Sequence, residues 1–171
     1  MQNLRKLFLS FLFFGLSIII AKGQDEKIKA LFIYNFTKYI EWPANAKQGT
    51  FVIGVLGETP VFDQLVANTS TRKVSTQEIV VKKYSKASEI EKCHIIYVPH
   101  DKSGNVKDIL NRVKDWPTLI ITDSPGMINT GSGLNFIMSN GRQSFEINTE
   151  YLDLKKLIYN STLLKLGVKV K

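Results

Sequence analysis

Three apolar runs in this chain end in residues able to move a proton or hold a cation. Glu58 and Thr59 follow Phe51 to Leu56, His100 and Asp101 follow His94 to Val98, and Asp123 and Ser124 follow Thr118 to Thr122. If the runs are neighbouring parallel strands, their carboxyl ends open on the crevice where open sheets bind ligands. A histidine and two or three carboxylates meeting there would make an acid/base or metal site. A small hydrolase using His100 and Asp123 is the enzymatic reading of that arrangement. The structural reading of the same residues is plainer, because Asp, Ser and Thr also cap helices and form turns.

Other catalytic signatures are absent. Gly54-Val55-Leu56-Gly57 lacks both the Lys-Ser/Thr of a phosphate loop and the third glycine of a dinucleotide fingerprint, so it reads as close strand packing and a turn. There is no Gly-x-Ser-x-Gly elbow. His94 and His100 are six residues apart with one expected to point into the sheet, which argues against zinc. No metal and no cofactor are expected. Cys93 adjoins a buried run with only Lys92 beside it, the setting of an inert thiol rather than a nucleophile. The sequons at Asn35, Asn68 and Asn160 matter only in a glycosylating host.

The elements that would position these groups follow from periodicity. Ile28, Leu31, Phe32, Phe36, Tyr39 and Ile40 recur at helical spacing from Asp25 to Trp42, with Asp25 and Glu26 in the first turn and Pro43 as the stop. The outer face of that helix carries Tyr34, Lys38 and Glu41 beside Trp42, an aromatic and charged mixture of the kind that anchors partners. Trp42 itself either covers the edge of the core or presents a platform. Thereafter strands and helices alternate. Strands are predicted at Phe51 to Leu56, Glu78 to Tyr84, His94 to Val98 and Thr118 to Thr122. Helical segments are predicted at Val61 to Ala67, Ser85 to Lys92 and Asn105 to Trp116.

Such alternation predicts a single α/β domain with a mostly parallel central sheet and helices on both faces. Ser124 to Gly133 is a loop, and Leu134 to Met138 and Gln143 to Ile147 flank Asn140-Gly141, so the sheet is expected to finish with a C-terminal antiparallel hairpin. Asn148 or Thr149 and then Ser161 are expected to cap the last helical segments.

The 171 residues, 44% hydrophobic and 22% charged, are those of one globular domain and exclude disorder, collagen-like repeats and a polytopic membrane protein. Leu7 to Ala21 is an uncharged apolar run behind Arg5 and Lys6. Ala21 and Gly23 form the small-residue pair of a cut before Gln24. The expectation is a signal peptide over residues 1–23, with an uncleaved anchor as the alternative, and an exported domain over 24–171. Removing the leader takes three basic residues and no acid, leaving 20 basic against 15 acidic residues and a net charge of +5. The excess lies mainly in Thr69 to Lys92 and Tyr151 to Lys171, and neither interleaves aromatic with basic residues as a single-strand stacking surface would, so nucleic acid is not an expected partner. A lone Cys93 forbids an intramolecular disulfide.

The segment Lys29-Ala30-Leu31-Phe32-Ile33-Tyr34-Asn35-Phe36-Thr37-Lys38-Tyr39-Ile40-Glu41-Trp42-Pro43 resembles the opening helix of the YfiR family of bacterial periplasmic proteins. The likeness continues through Phe51 to Gly57, Cys93 to Val98, Thr118 to Asp123, Phe145-Glu146-Ile147-Asn148 and Ser161 to Leu166. It implies a compact, non-enzymatic α/β domain in the periplasm. Such a domain regulates a membrane-anchored partner, a diguanylate cyclase or sensor kinase, through the partner's periplasmic part. Homodimerisation is left open. Two departures stand out: members under redox control have several cysteines, and the glycine expected in the last helical region is Lys156 here. A soluble receptor for a small envelope molecule is a further alternative. The residues proposed to bind a partner or ligand are Tyr34, Lys38, Glu41, Trp42, Glu58, His100 and Asp123.

Overall fold

The structure is a computed structural model that describes residues 24–171; the expected leader lies outside the described residues. Helix α1 runs to residue 39 and buries Ala30, Ile33 and Phe36, with Phe32 and Tyr39 half-buried beside them. The helix stops before Trp42 because the chain turns extended. Strand β1 (Ile40–Glu41) pairs antiparallel with β9 (Ile158–Tyr159), and Asn160 N–H donates to the Tyr39 carbonyl at 3.0 Å.

The main sheet is built from β2 (Phe51–Leu56), β3 (Lys73–Val74), β4 (Gln77–Tyr84), β5 (Ile95–Val98), β6 (Leu119–Thr122), β7 (Leu134–Ser139), β8 (Arg142–Ile147) and β10 (Val168–Lys169). Its order is β10-β8-β7-β6-β5-β2-β4-β3. The five strands from β4 to β7 are mutually parallel, and β3 and β8 run against them. Helix α2 (Pro60–Thr69) joins β2 to β3, and α3 (Val106–Arg112) and α4 (Met127–Thr130) flank β6 in sequence. The last two helices are α5 (Thr149–Leu154) and α6 (Ser161–Leu166).

Register explains the core. Val55, Tyr97, Ile121 and Leu134 are successive partners across four strands and so share one face, with Phe136 and Phe145 paired further along it. Helix α1 lies on that face. Phe36 meets Phe145 edge-on at 4.8 Å and Phe32 meets it at 5.7 Å, an arrangement aromatic rings favour. On the opposite face a Cβ at Gly54 would lie 2.8 Å from Ile96 Cδ1 and 2.9 Å from Tyr84 Cε2, so the glycine admits close strand packing.

Several further features differ from the sequence expectation. The β7–β8 hairpin turns at Asn140 (φ 51°) and Gly141 (φ 72°), as its residues predict, but it does not finish the sheet. Strand β10 adds parallel to β8. The helix expected from Asn105 to Trp116 is α-helical only to Arg112, because the buried Lys155 ammonium takes the carbonyls of Val113 and Lys114 at 2.6 and 2.9 Å. Met127–Thr130, expected as loop, makes a single helical turn. The cap of α6 is Asn160 rather than Ser161, its Oδ1 accepting from the N–H groups of Thr162 and Leu163. Asn148 caps α5 as expected.

Candidate functional site

At the strand ends the candidate residues are each held by partners within the chain. Asp123 accepts from Lys29 Nζ at 2.7 Å and from the Tyr97 hydroxyl at 3.1 Å on the face covered by α1. Burial, then the charge of Asp123, pushes the Tyr97 hydroxyl above its ordinary range and keeps it a donor. The next residue, Ser124, goes the other way. Its N–H donates to Asn135 Oδ1, and Asn135 follows Leu134 and therefore projects from the opposite face. Ser124 Oγ lies 2.9 Å from His100 Nδ1, so His100 is tied to Ser124 while Asp123 is tied to Lys29 and Tyr97. Glu58 is exposed and pairs with Lys83 at 2.8 Å. Each of Glu58, His100 and Asp123 thus has a partner of its own, and among the described residues no three His, Cys, Asp or Glu side chains are grouped to hold a metal ion.

Thr122, Ser132, Asn135 and Glu146 form a polar chain at the same end of the sheet. Thr122 Oγ1 is 2.8 Å from Asn135 Oδ1 and 3.0 Å from Ser132 Oγ, and Asn135 Nδ2 donates to Glu146 at 2.8 Å. Its buried members are satisfied by one another, so the chain holds the β6–β7 junction. Cys93 is buried, and burial pushes its thiol up to about 12, which leaves it protonated and unreactive at neutral pH.

A cleft of about 340 Å³ opens elsewhere, between the end of α1, the β1–β9 ribbon and the β3–β4 turn; Lys38, Glu41, Trp42, Phe51, Gln77 and Tyr159 help to line it. Lys38 is exposed at its rim, and Glu41 pairs with Lys47. Tyr34 sits one helical turn before Lys38, which lies over its ring at 4.9 Å.

Trp42 is a correction to the platform reading. It is only 4% exposed, meets Phe51 edge-on at 4.8 Å, and donates from Nε1 to the His94 carbonyl at 3.2 Å. It closes the core under the cleft.

Behind Trp42 lies a brace that sequence reasoning did not find. The His94 ring stacks on Phe51 at 4.3 Å; its Nδ1 accepts from Val52 N–H at 3.0 Å, and its Nε2 lies 2.7 Å from the Ala46 carbonyl. A carbonyl only accepts, so the proton sits on Nε2 and the ring is neutral. Burial, and Lys92 nearby, lower its pKa, while the bond to Ala46 opposes them. Gln77 Nε2 also donates to the Ala46 carbonyl, at 3.2 Å. The only sequence signal was that one of the two histidines precedes an all-apolar strand.

A YfiR/HmsC-like family model matches residues 26–168. The chain belongs to the YfiR/HmsC-like family. No curated protein matches it. No helix of the described residues is long and apolar enough to cross a membrane. In this YfiR/HmsC-like chain the Glu41-Trp42-Pro43 signature has a structural meaning. Trp42 seals the core, and Pro43 leads into the 3-10 turn Ala44–Ala46, whose last carbonyl receives His94 and Gln77.

Proposed function

We propose that this YfiR/HmsC-like protein is an exported, non-enzymatic regulator. It acts in the periplasm by binding the periplasmic part of a membrane-anchored signalling protein and holding diguanylate cyclase output down. The observation that carries the reading is the family match over nearly all of the described chain. The leader-like N-terminus supports export, with a cut before Gln24 that N-terminal sequencing of envelope protein checks.

The working surface in this reading is the outer side of α1 with the cleft beside it, where Tyr34, Lys38 and Glu41 sit on well-packed elements. This reading leaves Glu58, His100 and Asp123, each with a partner within the chain, outside that surface. A photoreactive side chain placed at Lys38 or Glu41 tests this. Its crosslink falls on an inner-membrane protein with a cyclase or kinase domain; a crosslink to that protein from His100 but not from α1 refutes the placement. The cleft volume favours a second reading, a receptor for a small envelope molecule. A thermal-shift screen in which a small molecule stabilises the wild type but not Lys38→Ala would support it.

A further inference from the structure

The outer side of α1 carries two cations on one ring. Lys38 Nζ stands 4.9 Å from the Tyr34 ring centroid, and Arg72 Cζ, from the turn between α2 and β3, stands 4.6 Å from the same centroid. Both cations are exposed, and among the described residues neither lies within ion-pair distance of a carboxylate. Nearby charges are handled differently: Lys73 pairs with Glu78 at 3.5 Å, and Lys47 pairs with Glu41. Two like charges gathered on one ring without a counter-ion repel each other, and an incoming pair of carboxylates relieves that repulsion. The ring holds both side chains in place, so less side-chain freedom is lost when they bind. Arg and Tyr are also the residue types that dominate binding hot spots.

We propose that Arg72, Tyr34 and Lys38 form a docking surface for an acidic peptide segment of the partner protein. The proposal rests on the regulatory reading above and names the chemistry of the contact. A peptide fits better than a lipid surface. Membrane recognition by charge uses clusters of about four to eight basic residues, whereas this group has two, with Lys73 already neutralised and Glu41 near by. It also adjoins the cleft, because Lys38 belongs to both. An acidic segment crossing the ring therefore continues into a concave surface.

The test uses the protein with a fluorescein-labelled hexaglutamate peptide, read by anisotropy. The expected result is binding that weakens with salt and falls about tenfold in Arg72→Gln/Lys38→Gln. Lys165→Gln/Lys169→Gln removes the same charge from exposed sites elsewhere and is expected to change affinity less than about twofold. Thermal midpoints check that both pairs fold. Equal losses in the two pairs, or no peptide binding, overturn the proposal. So does flotation with phosphatidylcholine–phosphatidylglycerol vesicles that needs Arg72 and Lys38 while the peptide does not bind. The same Gln pair is then scored for repression in cells. If it loses the peptide yet represses normally, the docking surface is refuted and the regulatory reading stands. If the wild type itself does not repress, the regulatory reading fails, and with it the partner named here.

Discussion

Replacing His94 by Phe keeps an aromatic ring against Phe51 and deletes both hydrogen bonds of the imidazole. The Ala46 carbonyl retains Gln77 Nε2 at 3.2 Å, whereas Val52 N–H loses the acceptor it has at 3.0 Å. Leaving one largely buried N–H unpaired costs about 1–3 kcal/mol, which sets the expected loss at neutral pH near ~2 kcal/mol. The wild type carries a pH dependence that the variant lacks. His94 is held below its unfolded-state pKa, chiefly by burial, so its contribution is complete above the unfolded value of about 6.5 and is lost as pH falls below that toward the folded value. In that window the unfolded chain binds the extra proton, and the slope for one group is at most about 1.4 kcal/mol per pH unit. Urea unfolding of both proteins at about pH 8 and at about pH 5 measures this. The gap between wild type and His94→Phe is expected to narrow at the lower pH. A gap that stays constant or widens, with unchanged denaturant dependence, refutes the neutral brace.

Four further outcomes follow from particular contacts. Gly54→Ala should cost about 1–3 kcal/mol in thermal unfolding, because its methyl meets Ile96 and Tyr84 inside 3 Å contact. Lys156 has φ 56°, so Lys156→Gly should stabilise by about 0.5–1 kcal/mol in urea titration, and no change would mean the left-handed break is already relieved. Lys155→Met should cost about 1–3 kcal/mol by freeing the carbonyls of Val113 and Lys114, with amide exchange at the end of α3 rising in step. Cys93→Ser should cost no more than about 1–2 kcal/mol, and the wild-type thiol should react with a thiol reagent only under unfolding conditions.

The parallel core of the sheet was legible because Ile95–Val98 and residues 119–121 are apolar on both faces, the mark of a strand covered on both sides. The hairpin was legible because Asn140-Gly141 meets the positive-φ demand of its turn. What failed depended on contacts distant in sequence. Ile40–Glu41 fits a helix by period and becomes strand because residues 158–159 pair with it. Arg112 ends α3 because Lys155, 42 residues beyond Val113, takes the last carbonyls. At the site, residue type allowed His100 and Asp123 either to converge or to serve as caps and turn formers, and chemistry-bearing residues at strand ends carry no sequence mark of which face they serve. Trp42 offered the same ambiguity, and only the Phe51 and His94 contacts resolve it. The left-handed residue at Lys156 shows the converse: the break expected of a glycine is kept without one, held by the surrounding fold.

The regulatory reading is tested most directly by cellular cyclic di-GMP in a strain lacking this protein and complemented with its variants. Deletion is predicted to raise cyclic di-GMP. The wild type and His100→Ala restore it, and Arg72→Glu/Lys38→Glu, with an unchanged thermal midpoint, does not. Deletion without effect would contradict it, whereas His100→Ala abolishing repression while Arg72→Glu/Lys38→Glu remains fully active would refute the placement of the working surface beside α1.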